Sequence, residues 1–300
     1  MNAVVKVVLS IDGDPDPVAA PDPDTVVLRK YHKMNRLVAE YCGANAAITL
    51  HSSPVFRDRF FNDDYMAFWR AWVADGKDLA LHLEDDLYRA PDAPLGQPSI
   101  FHRPGEACGV LAAMLDRLDA AGVACRAFRG GSNGQSPAVA GFLADRGIDV
   151  DLSCAPGLHW PERGVDWAGC PVSAYVAAPR RLKTPVADVA GGQGNLLIIP
   201  LGWDGRVPAD RRRPDSHFLA NESSTLSQMK DVWDAITRRA ADSGETQIVS
   251  FLCHTYAVEH PAIHARLQHI LAHIQQRGGR FISLRDAVDE VARRNGGGQR

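Results

Sequence analysis

Short runs of β-branched and aliphatic residues recur along the chain, and between them the apolar positions fall at spacings of three and four. The first run, residues 4–11, has six apolar side chains in eight, as a strand buried on both faces does, and it stops abruptly at Asp12-Gly13-Asp14. Further runs at 46–50, 78–83, 125–129, 148–152, 196–204, 247–256 and 280–283 predict strands, and helical spacing predicts helices over 27–41, 56–73, 105–121, 137–146, 227–241, 262–276 and 284–294. The aromatic stripe Phe60, Phe61, Tyr65, Phe68, Trp69 and Trp72 fits core packing better than a binding box. The Pro/Asp-rich segment 15–24 can continue neither a strand nor a helix, so it is a loop over the first strand's end. Residues 153–193, rich in Pro, Gly and Trp, suggest a lid or groove wall. Alternating strands and helices predict an α/β protein whose parallel sheet closes into a barrel, with chemistry at the strands' carboxyl end. One domain over 1–294 and a disordered tail over 295–300 follow.

Four strand ends carry reactive side chains. Asp12 and Asp14 can serve a metal or acid/base site, or be solvated turn carboxylates. At the third strand, His82 stands where an apolar residue would be cheaper, followed by Glu84, Asp85 and Asp86. A solvated acidic loop explains the acids but not the histidine; metal ligation explains both. His82 and Asp86 meet one ion if a helix starts there, His82 and Glu84 if the strand continues, and Glu84 reads more simply as a solvated or outer acid. Arg129 precedes Gly130-Gly131-Ser132-Asn133-Gly134, a turn that permits close backbone approach to a ligand but lacks the Lys-Ser/Thr of a phosphate loop. The late strand ends in His254-Thr255-Tyr256, where the plain alternative is a buried histidine bonded to backbone. The second strand also ends in polar residues, at His51-Ser52-Ser53.

A net charge of −3 gives no basic excess for nucleic acid or an anionic membrane, so neither is expected as a partner. No apolar run approaches the length of a membrane span, and no secretory leader opens the chain, so a cytoplasmic location is expected. The six cysteines form no CxxC pair and read as reduced, mostly buried thiols. Arg211-Arg212-Arg213 reads as a solvated turn ahead of a phosphate contact.

Taken together and in order, Ser10-Ile11-Asp12-Gly13-Asp14, His82 with Asp86 four residues on, Phe128-Arg129-Gly130-Gly131 and Phe251-Leu252-Cys253-His254 resemble the polysaccharide deacetylase superfamily, the NodB-homology domain of carbohydrate esterase family 4. The resemblance spans roughly residues 4 to 290 and includes the final Arg280-Phe281-Ile282-Ser283-Leu284-Arg285. It implies a distorted (β/α) barrel of seven or eight mostly parallel strands, and metal-dependent removal of an N-acyl, usually N-acetyl, group from an amino sugar or small saccharide. Hydrolysis of a non-sugar amide such as a ureide or formamide, or sugar binding without turnover, are the alternatives. By the same resemblance Asp14, His82 and Asp86 would hold a divalent ion, Asp12 would be the general base oriented by Arg129, and His254 the general acid, with Asp151 as its partner. Trp203, Trp160 and Tyr256 read equally well as faces that stack on a sugar ring and as loop aromatics packed under a lid. Two departures stand out: a glycine separates the two aspartates, and Asp86 stands where many members have histidine. One histidine with two carboxylates makes a harder, more negative site, so cobalt, nickel or manganese join zinc as candidate ions. The oligomeric state is left open.

Overall fold

The computed structural model describes residues 4–14, 23–51, 58–84, 98–188, 194–207, 217–222 and 224–296. In chain order its elements are β1 (Val5–Asp12), α1 (Asp24–Tyr41), β2 (Ala46–His51), α2 (Asp63–Ala74), β3 (Asp78–Leu83), α3 (Pro104–Ala120), β4 (Ala127–Gly130), α4 (Pro137–Asp145), β5 (Val150–Asp151), β6 (His159–Trp160), β7 (Val165–Asp166), β8 (Tyr175–Ala177), β9 (Leu196–Ile198), α5 (Leu226–Ser243), β10 (Gln247–His254), α6 (Pro261–Gln276), β11 (Arg280–Phe281) and α7 (Leu284–Gly296). Strands β10, β1, β2, β3, β4, β5 and β9 neighbour one another in that order, every pair parallel, and β8 adds an antiparallel edge to β9. One edge of β1 carries β10 along residues 5–12; the other carries β11 at residues 6–7 and β2 at residues 9–12. Beyond β9 the chain returns to β10, where Ser250 N donates to Pro200 O (2.8 Å) and Gly202 N donates to Ser250 O (2.9 Å). This seam curls the sheet into the expected distorted α/β barrel of mostly parallel strands.

Alternation along each strand sorts side chains between two layers. Val7, Leu9 and Ile11 of β1, Ile48 and Leu50 of β2, Leu79 and Leu81 of β3, and Val249 and Phe251 of β10 face the helices. Val8, Ala47, Ala80, Ala127, Val150, Leu197 and Ile248 meet inside the barrel, where Leu284, Ala287 and Val291 of α7 join them. Alanine at three of these positions suits an interior too narrow for larger side chains. α7 closes the amino-terminal end, its Leu284 N donating to Asp78 Oδ2 at the start of β3 (2.8 Å). The other end stays open for polar side chains.

The aromatic stripe is core: Phe60, Tyr65, Phe68, Trp69 and Trp72 are buried, and the two indoles donate to Phe60 O (3.1 Å) and Asp78 O (2.7 Å). Several boundaries differ from expectation, among them the strand expected over 196–204, which ends at Ile198, and the helix expected over 56–73, which starts at Asp63. Within 153–193 the described residues form the β6–β7 hairpin and strand β8, so a segment read as a lid also extends the sheet. The strand expected over 148–152 pairs only at 150–151. α7 runs through Asn295 to Gly296, with Asn295 Nδ2 donating to Asp188 O (2.9 Å), so the expected tail starts too early. All six cysteines are free thiols, and the barrel folding brings Cys154 Sγ to 3.2 Å from Cys170 Sγ. No helix among the described residues is long and apolar enough to cross a membrane.

If the barrel interior is as tight as its alanines imply, Ala80→Leu should destabilise the fold by about 1–3 kcal/mol through overpacking. Urea unfolding measures this, and an unchanged midpoint would show the interior to be loose.

Candidate functional site

The alternation that puts Val8, Ala47, Ala80, Ala127 and Ile248 inside the barrel also puts residues an even number of steps further on inside it, one layer nearer the mouth. These are Asp12, His51, His82, Arg129 and His254. Register ties them together in two steps: Asp12 pairs with His254 and Thr49, and two residues beyond Thr49 His51 pairs with His82 and His82 with Arg129. Each lies at 8% exposure or less. Asp14 returns to the same point because Gly13 passes close to β2. A Cβ on Gly13 would sit 2.3 Å from Thr49 O, while Gly13 N donates to Thr49 Oγ1 (3.2 Å) and Tyr31 Oη donates to Gly13 O (2.5 Å). The glycine between the aspartates is therefore a steric requirement of the strand tip.

His82 is the hub. Its Nδ1 lies 2.9 Å from Arg129 O, fixing the ring, and its Nε2 lies 3.1 Å from Glu84 Oε2, 3.4 Å from Asp14 Oδ1 and 3.9 Å from Asp12 Oδ2. His254 Nε2 stands 3.9 Å from both Asp12 Oδ2 and Asp14 Oδ2. Arg129 donates from Nε to Asp12 Oδ2 (3.1 Å), and its other nitrogens donate to Leu152 O (3.0 Å) and Asn133 Oδ1 (3.2 Å). Burial pushes the Asp14 carboxyl up to about 7 against the pull of His82 and His254. For His82 burial acts the other way, but the Asp12, Asp14 and Glu84 carboxylates prevail and push it up to about 10.

With Arg129 paired to Asp12, the Asp14 and Glu84 carboxylates share the one His82 imidazole in a buried place, and a divalent cation would balance them. Asp14, His82 and Glu84 each offer a ligand atom, all within 4.8 Å of one another. Asp14 Oδ1 is buried and accepts no hydrogen bond among the described residues. The donor set thus fits a metal ion.

No protein-family model and no curated protein sequence matches the chain. Solved structures do. A protein of Mycobacterium smegmatis classed with the polysaccharide deacetylases superposes with a TM-score of 0.58 at 14% identity, covering 98% of this chain and 92% of its own. The PuuE allantoinase gives 0.58 at 13%, covering 99% and 91%, and a Pseudomonas aeruginosa PAO1 protein classed with the polysaccharide deacetylases gives 0.57 at 13%, covering 97% and 92%. The chain has the polysaccharide deacetylase fold. At these identities the likeness establishes architecture, and the NodB-like barrel mouth is where the cluster above stands.

Within this NodB-like barrel Asp12, Asp14, His82, Arg129 and His254 come together. Asp86 lies outside the described residues, as do Arg211, Arg212 and Arg213. Glu84, read from sequence as a solvated or outer acid, instead touches His82. The glycine-rich turn makes room for it: a Cβ on Gly131 would lie 2.1 Å from Glu84 Oε2, so close approach there serves a protein side chain. Tyr256 stacks on His254, ring centroids 5.0 Å apart, and donates to Glu222 Oε1 (2.9 Å). Trp203 packs its ring against Gly157 and donates to Arg206 O (2.7 Å), while Trp160 sits in the β6–β7 hairpin beside the Arg163 guanidinium (5.3 Å). Asp151 does not pair with His254 among the described residues; it accepts from Gln135 Nε2 and from Ser153 N (2.7 Å). The reason is phase: Val150 and Leu152 take the interior positions, so Asp151 points the other way. His51 and Asn133 are additional members of the cluster, and both stood in strand-end segments.

The buried Asp12–Arg129 pair yields a stability test. Arg129→Met should cost about 3–5 kcal/mol by leaving Asp12 uncompensated. Adding Asp12→Asn should recover part of that loss in urea unfolding; a single substitution costing under about 1 kcal/mol would contradict the pairing.

Proposed function

We propose that this chain is a metal-dependent amide hydrolase that removes an N-acyl group, N-acetyl foremost, from an amino sugar or small saccharide. The observation that carries the reading is the convergence of Asp12, Asp14, His82, Glu84, Arg129 and His254 at one barrel mouth. Asp14, His82 and Glu84 would hold the divalent cation, zinc foremost with cobalt, nickel or manganese as alternatives, and Asp86 is proposed as a further ligand. When bound, the cation supplies Lewis-acid polarisation of the amide carbonyl and acidification of a water. The remaining work belongs to the chain. Asp12, oriented by the Arg129 Nε–H, takes a proton from the attacking water. His254, its Nε2 turned toward both aspartates, gives a proton to the departing amine. Tyr256 supports that imidazole by stacking and flanks the substrate. Trp203 and Trp160, packed within their own loops, are weaker candidates for sugar contact than Tyr256.

The likeness to an allantoinase favours a second reading, hydrolysis of a ureide by the same groups. Acetate release from a panel of N-acetylated sugars, run beside consumption of cyclic and linear ureides by the metal-loaded protein, separates the two. Failure of both panels would leave a sugar-binding barrel without turnover.

Two outcomes are expected. Asp12→Asn should lower turnover at least about 100-fold while the protein still binds metal, because the base contributes roughly 10²–10⁴-fold. Equilibrium dialysis and acetate assay read the two halves separately, and full activity would remove Asp12 from the chemistry. Metal affinity should also rise with pH, since ligation needs Asp14 and His82 deprotonated and their pKa values in the metal-free protein stand at about 7 and about 10. Below pH 7 both protons are displaced, and above it His82's alone, so the dependence is steeper on the acid side; calorimetry in buffers of different ionisation enthalpy counts the protons, and none released would contradict the assignment.

A further inference from the structure

His51 is wholly buried at the end of β2, at an interior position between the strands that carry Asp12 and His82. Its Nε2 stands 3.9 Å from Asp14 Oδ1, the same oxygen that His82 Nε2 approaches at 3.4 Å. The two imidazoles meet edge to face at 5.8 Å, and the Phe60 ring lies 6.1 Å from His51. Both nitrogen–oxygen separations exceed hydrogen-bond length, yet both converge on one carboxylate oxygen. Donor atoms that each stand roughly 2.0–2.2 Å from a shared ion stand about 3–4 Å from one another. The His51–Asp14 and His82–Asp14 separations, 3.9 and 3.4 Å, fall in that range.

We propose that His51 is a metal ligand, its Nε2 joining Asp14, His82 and Glu84 and bringing a second imidazole to the carboxylate ligands. The proposal rests on the reading of this cluster as a metal centre, and it changes what that centre prefers. With one histidine the site is hard and strongly negative; a second imidazole shifts it toward zinc and cobalt and away from manganese. The second histidine of this barrel then comes from β2, not from the position four residues beyond His82 that Asp86 occupies.

The test measures zinc affinity by chelator competition and the cobalt d–d absorption of wild type and His51→Gln. Loss of a ligand should weaken zinc binding more than about 100-fold, beyond the 10- to 100-fold typical of a group that only hydrogen-bonds to a ligand, and should change the cobalt spectrum. Tight binding by wild type with a smaller loss and an unchanged cobalt spectrum would overturn the role of His51 while leaving the metal centre intact. Absence of binding by wild type would overturn both. Should His51→Gln fail to fold, the zinc-edge X-ray absorption of His254→Gln decides, because His51 and His82 are then the imidazoles left in the cluster: two support the proposal, one overturns it.

Discussion

Everything at this site depends on side chains alternating strictly along parallel strands that lie in register. Val8 and Asp12, Ala80 and His82, Ala127 and Arg129, and Ile248 and His254 share a phase, so a sequence that fills the barrel with small apolar groups also delivers its polar groups to one mouth. A slip of one residue in any of these strands would turn its reactive side chain out among the helices. The long ladder between β1 and β10 and the seam from β9 to Ser250 guard against that slip, and α7 holds the far end shut.

Electrostatics then decides what the mouth is for. Arg129 compensates Asp12 and donates to Leu152 O and Asn133 Oδ1 besides, while Asp14 and Glu84 face His82. An imidazole held protonated by its acidic neighbours, beside a carboxyl raised by burial, is a costly arrangement for a protein that gains only packing from it. A divalent cation relieves the same charges at once. The burial that makes the metal-free arrangement costly would also strengthen ion binding, because few waters compete for the ligands.

Much of the fold is legible in the sequence because strand and helix differ in period and because glycine and proline mark the breaks. The strand ends at Asp12, His82, Arg129 and His254 are found this way. What escapes the sequence is set by tertiary position. His51 looks like one polar residue after a short strand until β2 is seen between β1 and β3. Glu84 is undecided because i, i+2 and i, i+4 partners of His82 depend on where β3 ends, and β3 runs to Leu83, on the side of Glu84. Asp151 misses His254 by one step of phase, and the rings of Trp203 and Trp160 take their direction from loop contacts with Gly157 and Arg163 that the sequence does not show. The glycine-rich turn after Arg129 announces close approach correctly, yet the chain itself, through Glu84, makes the approach.

The central claim is that these acids and imidazoles hold a metal ion. Anomalous X-ray scattering from crystals grown with zinc tests it most directly. The account predicts a single strong peak bonded to Asp14 and His82 at the barrel mouth, whereas crystals with no peak there, or with zinc only on surface histidines, would contradict it.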